Sequence, residues 1–466
     1  MPSINARIER IPNGRFNKKL LKWTGLGYIY ENMDGTLLSL ILPVLTAVWS
    51  LSSQQTGVLA SSLFVGYLFG TLCAGYLGDK FGRKNIIMWA LAFYCIATII
   101  SAFSTNWTSF FWFRVLAGFG TGGETAIIAP YVAEMVSSKF RGRYTSLLTS
   151  FFPIGNLLAG ALAYFIVPNF SEGWRIATII SALPIFMILF YRRYLPESPR
   201  WLESKGRIEE ANRVMESIEK EVEKDINQKL PDPKEDYHQL QKIERKEKIP
   251  FVTLFSGQYA KRTIMLWIVW FTTIFANFGF ISWMPSLLVK QGFTITHSFG
   301  YTIIIYAAQF PGYLIAAFLN DKLGRKITLS VAMILATIST SCMAHSVTAL
   351  TIVTSGVFMS MFMSTGFGVL YTYTPEQYPT FIRAFGMGAA SGFSRIGAIT
   401  APIIIGYVYP EYGFVGVFTM TTCILLVGIV AVLVLGTETK SKSLDEISSI
   451  DDISADTNHA KNTINS

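Results

Sequence analysis

The chain has 466 residues, 51% of them hydrophobic and only 15% charged, with a formal net charge of +9. A soluble protein carries roughly 25% charged residues, so the composition excludes an ordinary soluble domain. The positive charge clusters in a few loops, as described below, which excludes nucleic acid as its reason.

Crossing ~30 Å of hydrocarbon takes ~20 mostly apolar residues, and twelve such spans are predicted. They lie near 22–48, 55–78, 85–104, 107–130, 143–167, 173–195, 260–288, 297–320, 327–345, 348–373, 384–409 and 413–436. The expectation is an all-α membrane protein with twelve transmembrane helices in two six-helix bundles, 22–202 and 259–436. Residues 1–21 form a polar N-terminal segment without the short apolar core of a signal peptide. Residues 203–258 form a connector and 437–466 a polar tail, expected to be disordered. All four cysteines (Cys73, Cys95, Cys342, Cys423) fall in spans, which predicts buried, inert thiols. No metal site or cofactor is expected.

Of the 39 Lys and Arg, 35 lie in the termini or in loops after even-numbered spans, and the opposite loops hold only Lys290. By the positive-inside rule both termini are cytoplasmic.

Span 1 contains GYIYENMDGTLLSLIL, residues 27–42, which places Glu31 and Asp34 in hydrocarbon. Each such carboxylate costs about 2.5–3.5 kcal/mol on insertion scales, so it marks a functional candidate. The loop after span 2 reads GYLGDKFGRK, residues 75–84. Asp79 there is expected to accept from backbone N–H groups at a neighbouring helix start. Arg83 and Lys84, or Arg325 and Lys326 in a second such loop, are expected to pair with Glu134 or Glu376 across the bundle and form a cytoplasmic latch; headgroup anchoring is the simpler reading.

Span 4 carries RVLAGFGTGGE, residues 114–124. Its glycines permit close helix approach, expected against span 1. At ~1.5 Å per residue, Asp34 and Arg114 fall at nearly the same depth and can pair. Glu124, nearer the cytoplasm, either extends a proton path or pairs with a loop Arg. Glu134 and Arg141 follow at the end of span 4.

PESPRWL (196–202) follows span 6, and the connector's RIEEANRVMESIEKEVEK (207–224) has helical periodicity without a catalytic pattern. Spans 7, 8 and 10 supply Trp270, Asn277, Gln309, Tyr371 and Tyr373 as candidate substrate contacts. Gln309 is favoured because Pro311 and Gly312 open the helix beside it.

The loop after span 8 reads AFLNDKLGRK, residues 317–326, which repeats the first loop at an offset of 242. The same offset carries Glu134, Arg141 and Arg83 to Glu376, Arg383 and Arg325, and Asp79 and Lys84 to Asp321 and Lys326. Two motif pairs at one spacing indicate duplicated halves related as parallel repeats. In span 11, Arg395 has no acidic residue in the spans of its own half. An anionic ligand held by its planar fork is one reading; pairing with Glu31 or helix-end carbonyls is the other.

These motifs resemble the major facilitator superfamily over about residues 20–440. RIERIPNGRF, WMPSLLVKQGF, AAQFPGY, YTYTPEQYPTFIRAFGMG and SRIGAI narrow the resemblance to bacterial metabolite–proton symporters close to the niacin permeases. The Gln-Gln-x-Ser/Thr-Gly cluster of hexose carriers is missing from span 7, where FTTIFANFGF stands at 271–280. The resemblance implies secondary transport of a small organic metabolite, such as an aromatic carboxylate, by alternating access between the halves. It implies protons as the coupled ion, a plasma-membrane location and a working monomer. It also implies that Asp34 and Arg114 form the proton-coupling couple; a static tie between spans is the structural alternative. Glu31, one turn away on the same face, either tunes that site or contacts substrate. Neither an enzyme nor an ATP-driven pump is expected, since no GxxxxGK[ST] loop is present.

Overall fold

A computed structural model describes residues 2–233, 251–378 and 382–439, apart from the side chains of Ser146, Gln258, Asp321 and Ala384. Regular structure among them is entirely helical. The tail beyond residue 439, its expected disorder included, lies outside the described residues, as does part of the connector.

A short helix α1 (Ile4–Glu9) precedes span 1, which is α2 (Arg15–Val48). Spans 2, 3 and 4 are α3 (Ser53–Phe81), α4 (Arg83–Ala102) and α5 (Trp107–Met135). Span 5 is split into α6 (Ser138–Thr149) and α7 (Phe152–Ile166), with Pro153 in the first turn of α7. Span 6 comprises α8 (Gly173–Ser181), a 3-10 turn around Pro184 and α9 (Met187–Tyr194). Proline removes a helical N–H and clashes with the preceding turn, so both breaks have a local cause. The connector contributes α10 (Pro199–Ser204) and α11 (Ile208–Ile226).

Span 7 is α12 (Gly257–Lys290). Span 8 breaks at Ala308 into α13 (Ile295–Ala307) and α14 (Gln309–Leu323), three residues before Pro311. Spans 9 and 10 are α15 (Arg325–Ala344) and α16 (Ala349–Glu376). Spans 11 and 12 run through α17 (Arg383–Leu435), whose helical path is interrupted only at Gly413, with φ 59°. Corresponding helices keep the offset read from the loops: α2 and α12 start at 15 and 257, and α4 and α15 end at 102 and 344.

Nine helical stretches among the described residues are long and apolar enough to cross a membrane. The long helices α2 and α5 fall outside that set and carry Glu31, Asp34, Arg114 and Glu124 in their interiors.

The chain divides into two compact units. One comprises Met1–Leu51, Leu59–Glu247 and Gly292–Gly300; the other comprises Ser52–Val58, Lys248–Gln291 and Tyr301–Ser466. Within the first, α2 packs on α7 and α4 on α5; within the second, α12 packs on α17 and α15 on α16.

The glycines of α5 do not face α2 as expected. A Cβ at Gly118 would lie 2.0 Å from the Leu63 carbonyl oxygen, and one at Gly122 would lie 2.3 Å from that of Tyr67, both on α3. Gly66 and Gly70 of α3 return the contact on Val115 and Phe119, while Gly120 abuts Tyr94 and Ala90 on α4. Glycine on both partners brings α3 and α5 backbone to backbone. The thiol expectation holds for Cys95 alone. Cys73, Cys342 and Cys423 lie exposed on faces their bundles leave uncovered, where a weakly polar thiol meets no penalty in lipid.

The N-terminal segment is more ordered than its polarity predicted. Ile4, Ile8 and Ile11 pack in one core with Ala211, Met215, Ile218 and Val222, the apolar stripe of α11. Arg7 chelates Glu219 at 2.7 and 2.9 Å, and Arg10 reaches the same carboxylate at 2.7 Å. Burial pushes the Glu219 carboxyl up, but the hydrogen bonds and charges of Arg7 and Arg10 outweigh it and hold the group below its ordinary range.

Candidate functional site

At the centre of the first unit, Arg114 on α5 meets Asp34 on α2 in a two-pronged pair. Nη1 donates to Oδ1 at 3.1 Å and Nη2 to Oδ2 at 2.8 Å. The side chains are 2% and 1% exposed, so water screens neither charge. Two further groups hold the pair, and nothing in the sequence singled them out. The Ser181 hydroxyl donates to Asp34 Oδ1 at 3.0 Å, and Arg114 Nη1 also donates to Thr98 Oγ1 at 3.3 Å. α2, α4, α5 and α8 therefore converge on one carboxylate.

Glu31, one turn back along α2, is buried as well. Glu124 is wholly buried and makes no ion pair among the described residues. A loop arginine as its partner is thereby set aside. A second polar knot, also missed, joins Asn32 and Thr36 of α2 to Asn156 of α7.

The candidate substrate contacts in the second unit separate into two groups. Trp270 Nε1 donates to Thr374 Oγ1 at 2.9 Å, and the Tyr373 hydroxyl donates to the Thr437 carbonyl at 2.8 Å. Both side chains are buried and committed to their own bundle, which withdraws them as substrate contacts. Tyr131 makes the matching bond to the Pro196 carbonyl in the first unit, which marks the Tyr373 contact as structural. Gln309 is buried at the break between α13 and α14, whereas Asn277 and Tyr371 are half-buried. Arg395 is half-buried too.

The loops after spans 2 and 8 form two of the ion pairs expected of them but assign the helix start to a different acid. Arg83 contacts Glu134 at 3.2 Å, and Arg325 contacts Glu376 at 3.0 Å, each pair within its own unit. Asp79 is 69% exposed and pairs with Arg83 at 2.7 Å rather than receiving backbone N–H groups. Glu197 of PESPRWL accepts from the N–H groups of Arg83 and Lys84 at 2.9 and 3.1 Å. Glu438 does the same for Arg325 and Lys326, also at 2.9 and 3.1 Å. The physical reason is reach: Asp79 sits inside the preceding helix, while Glu197 approaches the start of α4 along its axis, where the dipole favours an anion.

Gly82 and Gly324 make room, with φ of 99° and 96°; a Cβ on Gly82 would sit 2.3 Å from Glu197 Oε2. Burial nonetheless pushes the Glu197 carboxyl above its ordinary range, only partly offset by the N–H groups of Ser198, Lys84 and Arg83. The Lys84 and Lys326 ammonium groups donate to the carbonyls of Arg192 and Leu433, not to Glu134 and Glu376. Arg141 is half-buried beside Arg200. Arg383 donates to the Tyr378 carbonyl at 3.3 Å, and the side chain of Asp321 lies outside the described residues. Arg262, counted as a loop residue in the sequence, is buried and ties α12 to the Gln377 carbonyl at 3.0 Å.

Comparison with known proteins agrees with this geometry. The family described as Sugar (and other) transporter matches residues 24–450. The chain is 38% identical over 443 residues to the niacin transporter NiaP of Acinetobacter baylyi, covering 95% of this chain and 99% of the relative. It is 33% identical over 431 residues to a Bacillus subtilis protein named for niacin/nicotinamide transport, covering 92% and 98%. The inward-open xylose transporter XylE of E. coli superposes with a TM-score of 0.74 at 19% identity over 93% of this chain and 99% of that one, a likeness of fold. A twelve-span helical chain of duplicated halves, with family similarity over nearly its whole length, is a multi-pass membrane transporter: it belongs to the Sugar (and other) transporter family of the major facilitator superfamily.

Proposed function

We propose that this chain imports a small aromatic carboxylate of the nicotinate type across the cell membrane, by alternating access and in symport with protons. The observation that carries the reading is the 38% identity, over 95% of the chain, to a relative named for niacin transport. Proton coupling is supported by the buried pair of Asp34 and Arg114, where a titratable carboxylate sits against a permanent cation at mid-membrane depth. In the second unit, half-buried Arg395 offers a planar fork suited to a carboxylate, and Gln309, Asn277 and Tyr371 supply polar and aromatic contacts. The halves at 22–202 and 259–436 rock as a monomer, with both termini in the cytoplasm. Arg83–Glu134 and Arg325–Glu376, with Arg141 and Arg383 beside them, bias one orientation over the other.

Uptake of labelled nicotinate, nicotinamide, xylose and carnitine into proteoliposomes, with and without an inward proton gradient, tests this reading. Gradient-driven accumulation of nicotinate above the other three is expected. Preference for xylose or carnitine overturns the substrate class, and gradient-independent uptake overturns the symport. A second reading, that the neutral amide is carried equally, draws on the name of the Bacillus relative. Equal uptake of nicotinamide would establish it.

A further inference from the structure

Asp34 has every carboxylate oxygen engaged; Glu124 has neither. Glu124 lies ten residues beyond Arg114 on α5, about 15 Å toward the cytoplasmic end. It is 0% exposed, and neither oxygen makes a hydrogen bond of normal geometry. The groups around it come from three other helices. α2 presents Glu31, α4 presents Tyr94 and Cys95, and α9 presents Tyr191. The Tyr191 hydroxyl faces Glu124 as a neutral neighbour and also donates to the Trp23 carbonyl at 3.2 Å. Gly27 completes the enclosure: a Cβ there would lie 2.8 Å from Glu124 Oε1 and 2.6 Å from the Tyr191 hydroxyl. Any other residue at that position would fill the space in which the carboxyl sits. Among the described residues, none of these four groups is a cation.

An ionised carboxylate in such a place has neither water nor countercharge to stabilise it, whereas a neutral acid fits. A second carboxyl nearby, Glu31, makes the two load and release protons as a pair. We propose that Glu124, with Glu31, is a second proton carrier of the transport cycle, separate from the arginine-compensated Asp34. In the conformation described here Glu124 holds its proton. When the helices separate, the O–H bond breaks, the proton passes to cytoplasmic water and a carboxylate remains. The assignment rests on the proton-symport reading above for its role, and on geometry alone for its protonation.

Two measurements on the full-length protein in lipid keep those apart. Infrared spectroscopy reads the carbonyl stretch of a protonated carboxylic acid, whatever the transporter does. The band is expected in wild type, lost in Glu124→Gln and kept in Asp34→Asn. The steady-state accumulation of nicotinate is then measured at a fixed gradient of one pH unit with the membrane potential clamped. One coupled proton corresponds to a factor of ten per pH unit, so Glu124→Gln is expected to lower the ratio about tenfold.

A band unchanged in Glu124→Gln overturns the neutral acid. A lost band with a wild-type accumulation ratio overturns the carrier role. Wild type that ignores the gradient overturns the symport reading, while the band still reports on Glu124. Should the Gln variant fail to reach the membrane, Glu124→Asp carries the test: a shifted band supports the assignment and an unshifted one overturns it.

Discussion

Arg114 and Asp34 are joined by two parallel hydrogen bonds, 3.1 and 2.8 Å long, although Gly118, Gly120 and Gly122 of α5 turn to α3 and α4 and not to α2. The pair is therefore held by its own charges and by Ser181 and Thr98, not by close helix packing at that level. Removing one partner of a buried ion pair costs about 3–5 kcal/mol, because the other charge is stranded. Arg114→Ala is expected to lower the melting temperature strongly, and Arg114→Ala with Asp34→Ala less than the single change. A double variant as unstable as the sum of the singles would show that the pair contributes no coupling energy.

On function, Asp34→Asn preserves shape and removes the titratable group. Nicotinate accumulation driven by a pH gradient is expected to fall by at least about tenfold, the weight of one coupled proton at one pH unit. Counterflow exchange is expected to fall less. Counterflow and accumulation falling together would make the pair a structural tie only.

For cargo, Arg395→Lys replaces a planar fork with a point charge. Loss of a charge-assisted hydrogen bond costs about 1.5–3 kcal/mol, or roughly ten- to a hundredfold in affinity. Nicotinate binding measured by isothermal titration is expected to weaken by that factor and nicotinamide binding to change little. An unaltered nicotinate affinity removes Arg395 from the site.

At the start of α4, Glu197→Ala strips the acceptor from the Arg83 and Lys84 N–H groups. Losing such a helix-start acceptor costs about 0.5–2 kcal/mol. Faster hydrogen exchange is expected in the first turn of α4, and Glu438→Ala should do the same to α15. Unchanged exchange in both would separate these carboxylates from helix stability.

The clasp of Arg7 and Arg10 on Glu219 predicts a pH response with a defined sign. Because the folded carboxyl titrates below its ordinary range, its contribution is fully present above that range and is lost as pH falls through the lowered value. Residues 4–11 are expected to stay protected from hydrogen exchange at neutral pH and to open in acid. Glu219→Gln should open them already at neutral pH. Equal protection of that variant would assign the docking to the isoleucines alone.

The spans, the repeat and the buried pair were legible because membrane segments are long, apolar and sensitive to every charge they contain. Asp34 and Arg114 stood out at matching depth without any structure. The glycines of α5 declared a close contact but not its direction, since both α3 and α4 lie within reach and rotational phase is not encoded in composition. Trp270 and Tyr373 misled because aromatic residues look alike whether they face a ligand or a carbonyl. Glu197 and Glu438 were passed over for a geometric reason: a motif's spacing shows which residues recur, not which of them approaches a helix along its axis.

The offset of 242 that relates the two loop motifs also runs through the helices. It carries Asp34 to Ala276, Arg114 to Gly356, Glu124 to Gly366 and Glu31 to Thr273. The loop pairs thus recur in both halves, whereas the buried charges of the first half correspond to small or neutral residues in the second. A chain assembled from two copies of residues 259–436 would keep the paired loops and lack every one of those four charges.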